Sequence, residues 1–303
     1  MGVQMHVAHS SVFKGAAIYA GGVYHCAAGN VGTALLNCGG LSNATNGGAS
    51  YSSTLAQSEQ YLDQQSAAGT IDPSSNLAGK PVYLWSGTND TVVNPLEMAD
   101  LNSEYAKYGA KITFDNAFPA EHGWESPDGE LACGTKGAPF MISCNSGAQA
   151  YDSVKTWLGL FLGKLNPRAT GPLAGTLMKF DQTEFGNVAN ESLDTAGLVF
   201  VPQACKTQST CGFVLAMHGC QQSQSFIGSK FALESGINEW ADTNNLIVLY
   251  PYTVPSSNAQ AYNPQACFDW FAYSNTDDQS YALKSGLQLT TLYRMVQRVT
   301  GAP

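Results

Sequence analysis

Apolar runs stopped by turn residues alternate with helix-patterned stretches along this chain, and that alternation constrains its fold most. "FKGAAIYAGG" (13–22), "KPVYLWSG" (80–87) and "AKITFDNAF" (110–118) have the length and punctuation of buried strands. Helical patterning follows at 52–67, 94–109 and 146–163. The second of these carries its own boundary signals. Asn94 stands at the N-cap, Pro95 in the first turn and Gly109 just past the end. After "KLNPRATGPLAG" (164–175) come "TLMKFDQ", "GLVFVPQ" and "GFVLAMHG", then a helix at 229–243, the strand "NLIVLYPY" (245–252) and a helix over 279–299. Such alternation predicts an α/β fold: a mainly parallel sheet flanked by helices, in a single domain. The three runs after 175 are expected to form its antiparallel edge. Residues 164–175 would join two halves of that domain, 1–165 and 166–303. The sequence contains no repeat and no low-complexity tract.

Composition narrows the partners. The 303 residues are 44% apolar, enough for a large core, but only 12% charged, about half the usual share. Net charge is −9 and the pI about 4.9, a poor match for nucleic acid or an anionic membrane. No apolar run approaches the roughly 18 residues that span a bilayer. The first residues, "MGVQMHVAHS", show no charged stretch leading into an apolar one, so no signal peptide reads from them.

Eight cysteines point to an oxidising compartment and a secreted protein. They are Cys26, Cys38, Cys133, Cys144, Cys205, Cys211, Cys220 and Cys267, none in a C-x-x-C pair, which argues against zinc and thioredoxin chemistry. Pairing of neighbours gives 26–38, 133–144, 205–211 and 220–267; eight buried free thiols are the alternative. His6, His9 and His25 form no metal-binding pair, and neither a metal nor a cofactor is expected. A monomer is expected.

In a parallel α/β sheet the chemistry sits beyond the C-terminal strand ends. There "YLWSGTNDTVVNP" places Asp90 in the turn after one strand, and "TFDNAFPAEHGW" places His122 after the next. An acid and then a histidine on successive turns is how an α/β-hydrolase supplies two members of its triad. The imidazole takes a proton from the nucleophile; a buried carboxylate fixes its tautomer. Asp90 as a mere helix cap and His122 as an ordinary surface histidine are the plainer readings. "AMHGCQQS" ends a strand in His218-Gly219-Cys220, which fits an oxyanion loop whose donor is the backbone N–H of Cys220. Removing such a donor costs about 3–4 kcal/mol of transition-state stabilisation. His218 reads as a structural histidine that holds the loop. In an ordinary hydrolase the oxyanion loop precedes the acid and the histidine; here it follows them, the order a circular permutation produces.

The stretches "YAGGVYHCA", "YLWSGTNDTVV", "AMHGCQQS", "WADTNNLIVLYPY" and "CFDWFAY", in this order from residue 16 to 273, resemble secreted poly(3-hydroxybutyrate) depolymerases with a circularly permuted α/β-hydrolase catalytic domain. The resemblance implies Asp90 as acid, His122 as base, the Cys220 amide as oxyanion donor and Trp270 facing the substrate. Phe268 stands where the family often has Trp, and is expected to bind substrate too. The implied substrate is a neutral polyester or hydroxyacid ester, held by burial in an apolar cleft. The family nucleophile lies in a "GLSxGG" elbow, and no G-x-S-x-G occurs among these residues. "GLSNA" (40–44), with Ser42, is the nearest match but lacks the strand and helix of an elbow; Ser10 and Ser11 are expected to be exposed at the end of a first helix. The chain is therefore expected to lack the nucleophile serine and to be inactive alone. A catalytically dead polyester-binding homologue and a feruloyl or acetylxylan esterase are the alternatives. Asn43, Asn89 and Asn190 begin N-x-S/T triplets, read as chance occurrences.

Overall fold

The computed structural model describes residues 1–39, 51–207, 210–259, 261–274 and 280–302. Ser42 and Asn43 lie outside them. The chain forms two compact units. The first comprises Met1–Gly123, Cys133–Gly137 and Asp269–Thr290; the second comprises Trp124–Ala132, Ala138–Phe268 and Thr291–Pro303. Residues 164–175 do not divide them: that segment is irregular, as expected of a connection, but belongs wholly to the second unit.

The first unit is built on an all-parallel three-stranded sheet, β1 (Ala16–Tyr19), β2 (Pro81–Trp85) and β3 (Lys111–Asp115), in that spatial order. Ile18 pairs with Leu84, and Leu84 with Phe114. Val82, Tyr83, Leu84 and Trp85 of the central strand are all buried. A run apolar at every position, not at alternate ones, needs cover on both faces. Helices of this unit include α1 (Gly2–Ala8), α2 (Leu55–Ala68) and α3 (Pro95–Lys107). Their ends follow the local code. Asn94 caps α3 by accepting from the Leu96 N–H at 3.0 Å, and Gly109 lies just beyond at φ 74°. Gly69 ends α2 at φ 72°. Ser10, expected to be exposed, is fully buried, while the Ser11 hydroxyl and N–H both donate to Asp72, at 2.6 and 2.7 Å.

The second unit holds a small parallel sheet of β4 (Trp124–Glu125), β5 (Leu131–Ala132) and β6 (Met141–Ser143), with β6 in the middle. Helix α4 (Ser153–Leu162) is shorter than its pattern predicts. Residues 145–150 turn back on themselves at Gly147, φ 67°, and the helix starts only where Asp152 accepts from the Lys155 N–H at 2.9 Å. The larger sheet contains β7 (Thr176–Asp181), β8 (Ala196–Val201), β9 (Gly212–Leu215) and β10 (Leu246–Tyr250), in the order β9-β10-β8-β7. The expected antiparallel edge is β7 and β8; the third run, β9, instead pairs parallel with β10. A parallel partner needs a crossover connection. Helical residues 230–234 and α5 (Ile237–Asn244) supply it. The single helix expected over 229–243 is broken at Gly236, φ 78°, where glycine tolerates the left-handed conformation that other residues resist. The last helix, α6, runs Leu287–Thr300.

All eight cysteines are oxidised. Disulfides join Cys26 to Cys38, Cys205 to Cys211 and Cys220 to Cys267. Cys133 and Cys144 are likewise disulfide-bonded. No helix of the described residues is long and apolar enough to cross a membrane.

Candidate active site

The turn after β2 lies directly against the turn after β3. A Cβ on Gly87 would stand 2.1 Å from the Ala120 carbonyl oxygen, so only glycine permits this approach. The Thr88 N–H donates to Phe118 O at 2.8 Å, and the Asn89 N–H to Ala120 O at 3.1 Å. These contacts bring Asp90 to His122. Asp90 Oδ2 lies 2.9 Å from His122 Nδ1, with the carboxylate 2% exposed and the imidazole 26%. The other oxygen, Oδ1, accepts from the Val92 and Val93 N–H groups, both at 2.8 Å. A buried carboxylate held on one side by two amides is not free to turn. It accepts the Nδ1 proton, which leaves the lone pair of the neutral ring on Nε2. Asp90 does not cap the helix, whose N-cap is Asn94; its carboxylate holds its own turn and meets the histidine.

In the second unit, β9 runs on to His218. The ring is buried, and burial pushes its pKa down to about 4. Nδ1 donates to Gly219 O at 2.7 Å, and Nε2 accepts from the Thr253 N–H at 3.3 Å. Tyr252 and Phe268 pack on it, with ring centroids at 5.3 and 4.8 Å. His218 is therefore a neutral strut of the loop, as the sequence reading has it. The next amides are apportioned in turn. Gly219 N–H donates to Gln222 Oε1 at 2.8 Å, and Gln221 N–H to Gln265 O at 2.8 Å. The Cys220 N–H between them has no acceptor among the described residues, and Cys220 is exposed. An exposed, fixed and unspent amide just past a strand end is the type of group that takes an oxyanion.

The aromatic residues divide. Phe268 is 5% exposed, and its ring is spent on His218. Its packing against that ring supports the loop. Trp270 is half-buried in the first unit, its ring 3.7 Å from where a Cβ on Gly39 would stand. Asp269 holds this segment. Its Oδ1 accepts from the Phe271 and Tyr273 N–H groups at 3.2 and 3.1 Å, and its Oδ2 from the Ser274 N–H and hydroxyl at 3.0 and 2.6 Å.

Sequence reasoning missed Gln222 and Asp269. The side chain of Gln222 accepts from Gly219 and donates to Pro139 O and Phe140 O at 3.1 and 2.9 Å. The doubled glutamine of "HGCQQS" is its only trace in the sequence. Gln222→Ala removes the partners of the Gly219 amide and the Pro139 carbonyl, while Phe140 O keeps the Trp124 N–H at 2.8 Å, a loss of about 2 kcal/mol. Hydrogen exchange at residues 219–221 is expected to quicken at least roughly tenfold, since 1.4 kcal/mol is one decade, with the β7–β8 ladder unchanged.

Among the described residues no group of three His, Cys, Asp or Glu side chains could hold a metal ion. A cavity of about 450 Å³ opens in the first unit beside His25, Gln57, Tyr61 and Gln64; neither Asp90 nor His122 lines it.

No family model matches the chain. A polyhydroxybutyrate depolymerase of Talaromyces funiculosus is 32% identical over 314 residues, covering 99% of this chain and 86% of the relative. The chain belongs to the polyhydroxybutyrate depolymerase family. A poly(3-hydroxybutyrate) depolymerase of Delftia acidovorans is 35% identical over 306 residues; the match takes in 99% of this chain but only 57% of that protein. Two solved PHB depolymerase structures superpose with TM-scores of 0.86 at 28% identity, covering 98% of this chain and 91% of theirs. One is from Penicillium funiculosum; the other is a serine-to-alanine variant complexed with an R3HB trimer. The fold of this depolymerase-family chain is accordingly α/β-hydrolase-like.

Proposed function

We propose that this chain carries the acid and base of a serine esterase acting on poly(3-hydroxybutyrate) or a related short-chain polyester. The observation that carries the proposal is the 2.9 Å contact between the buried Asp90 carboxylate and His122 Nδ1. His122 Nε2 takes the proton of a serine hydroxyl as its oxygen bonds to the ester carbonyl carbon. The carbonyl π electrons move onto oxygen. Collapse of that oxyanion expels the chain alkoxide, which takes the proton back from the imidazolium. Water then repeats the sequence on the acyl-enzyme. Asp90 orients the ring throughout. The Cys220 amide is proposed as an oxyanion donor on the geometry of its own loop alone, and Trp270 as an apolar substrate contact.

The order of acid, histidine and oxyanion loop along the chain is read as a circular permutation of the hydrolase fold. The nucleophile is read as a serine on a G-x-S-x-G elbow, a motif absent from residues 1–303. Those residues alone are proposed not to turn over polyester. Complete oxidation of the cysteines fits export to an oxidising compartment.

The test is hydrolysis of an amorphous poly(3-hydroxybutyrate) suspension and of a soluble aryl butyrate. Residues 1–303 are expected to give neither turnover nor an acylation burst; the same residues joined to an elbow-bearing segment are expected to hydrolyse both. In that joined protein, His122→Ala lowers kcat roughly 10⁴-fold or more and Asp90→Asn by about 10⁴. A stoichiometric burst from residues 1–303 overturns the placement of the nucleophile. Activity confined to the soluble ester overturns the polyester substrate.

A further inference from the structure

We propose that Glu121 is a positioning residue, a brace whose carboxylate locks the turn bearing Asp90 to the turn bearing His122. This rests on the reading of Asp90 and His122 as the working pair. Glu121 Oε2 accepts two backbone amides, Thr91 N–H at 3.2 Å and His122 N–H at 3.1 Å. Thr91 directly follows Asp90, and Glu121 directly precedes His122. The Thr91 hydroxyl donates to Glu121 Oε1 at 2.9 Å and accepts from Lys136 Nζ at 2.8 Å. Glu121 is itself anchored by its N–H, which donates to Cys133 O at 2.9 Å.

A capping side chain serves its own turn. This carboxylate instead spans a separation of 30 residues to Thr91, the chain neighbour of Asp90, and also takes the N–H of His122 itself. The turns already touch at Gly87 and Ala120 and are joined by the Thr88–Phe118 and Asn89–Ala120 hydrogen bonds. All of these ties come from residues that precede Asp90. The Glu121 carboxylate ties the residue that follows Asp90, so the turn is held on both sides of the acid. Small displacements matter there, because the direction of the His122 lone pair follows from the Asp90–Nδ1 bond.

Proton NMR on the whole protein tests this without turnover. A ring N–H given to a buried carboxylate resonates at low field and exchanges slowly. The low-field signal is expected in the wild type and absent in Asp90→Ala. In Glu121→Ala its exchange with water should quicken at least tenfold. Glu121→Gln should restore it: the amide oxygen can take both N–H groups, while the NH₂ donates to the Thr91 hydroxyl. Glu121→Asp keeps the charge but loses one methylene of reach and is expected to behave like alanine; it carries the test if Glu121→Ala does not fold. A purely structural role would lower Tm and leave the signal in place, so an unchanged signal in both Glu121→Ala and Glu121→Asp overturns the brace. Absence of the signal from the wild type overturns the Asp90–His122 pair, and the brace falls with it.

Discussion

Gly87→Ala is expected to cost at least about 3 kcal/mol and to lower Tm by roughly 6–12 °C. The added Cβ would lie 2.1 Å from Ala120 O, 2.7 Å from Ala120 C and 2.9 Å from Ala120 Cβ. The first two are backbone atoms, so no rotamer change makes room. One turn has to move away from the other. That movement stretches the Asn89-to-Ala120 and Thr88-to-Phe118 hydrogen bonds, 3.1 and 2.8 Å in the native state. It also separates Asp90 from His122, whose contact depends on the two turns touching. The low-field Nδ1–H signal should therefore vanish together with the loss of stability. The cause is steric: Gly87 is not among the positive-φ glycines, so chain freedom plays no part. A variant melting within about 2 °C of wild type, a shift worth under 1 kcal/mol, would sink this account.

Stability should be nearly level from about pH 4.5 to 6.5 and should fall steeply from 6.5 to 8. The alkaline limb comes from buried glutamates kept neutral. Burial pushes Glu97 up to about 7 and Glu104 and Glu125 up to about 8, from an ordinary 4.5. Proton counting supports the first two independently. Tyr51 Oη lies 2.5 Å from Glu97 Oε2 and 2.7 Å from Asp100 Oδ2. One phenol proton cannot serve both, so a carboxyl must keep its own, and Glu97 is the fully buried one. Ser58 Oγ contacts both Tyr24 O and Glu104 Oε1. The carbonyl can only accept and takes the serine proton, so Glu104 donates to the serine oxygen.

With folded values above the unfolded one, the stability these acids contribute is fully present below about 4.5 and is lost as pH rises through 7 to 8. The buried histidines act in the opposite sense. Burial lowers His6 to about 3 and His9 and His218 to about 4, so their contribution is present above 6.5 and lost as pH falls toward those values. The two sets offset each other between 4.5 and 6.5. Above that the three glutamates dominate, each worth at most about 1.4 kcal/mol per pH unit, and are offset in part by the buried amine of Met1, which burial lowers from 8.0 to about 5. A fall in Tm of roughly 5–10 °C between pH 6.5 and 8 is expected in thermal unfolding. Glu97→Gln with Glu104→Gln should flatten it, because the amide keeps a donor where the acid held its proton. A Tm that climbs between pH 7 and 9 contradicts the neutral acids.

Asp90 and His122 were readable because each follows an apolar run that can only be a buried strand, and strand ends are where side chains meet. Neighbour pairing of Cys26 with Cys38 and Cys205 with Cys211, 12 and 6 residues apart, was readable for a related reason: short loops bring their ends together cheaply. Cys220 and Cys267 are 47 residues apart, and loop length does not account for that pair. Gly236 shows the limit. The Ser235-Gly236 dipeptide is a weak local signal of a break inside 229–243, and the helical pattern on both sides of it outweighs that signal until β10 must return parallel to β9.

The linear order of residues determined the strands, the helix caps and the identity of an acid and an imidazole on successive turns, because those depend on periodicity and on neighbours a few positions apart. Tertiary structure alone decided which oxygen of Asp90 meets which nitrogen of His122, that Gly87 must lack a side chain, that of the amides of residues 219–221 the Cys220 N–H has no acceptor among the described residues, and that Glu97 and Glu104 hold their protons to higher pH. Each of these is set by atoms distant in the chain meeting within a few ångströms under burial, where sterics and desolvation act and local composition carries no trace of them.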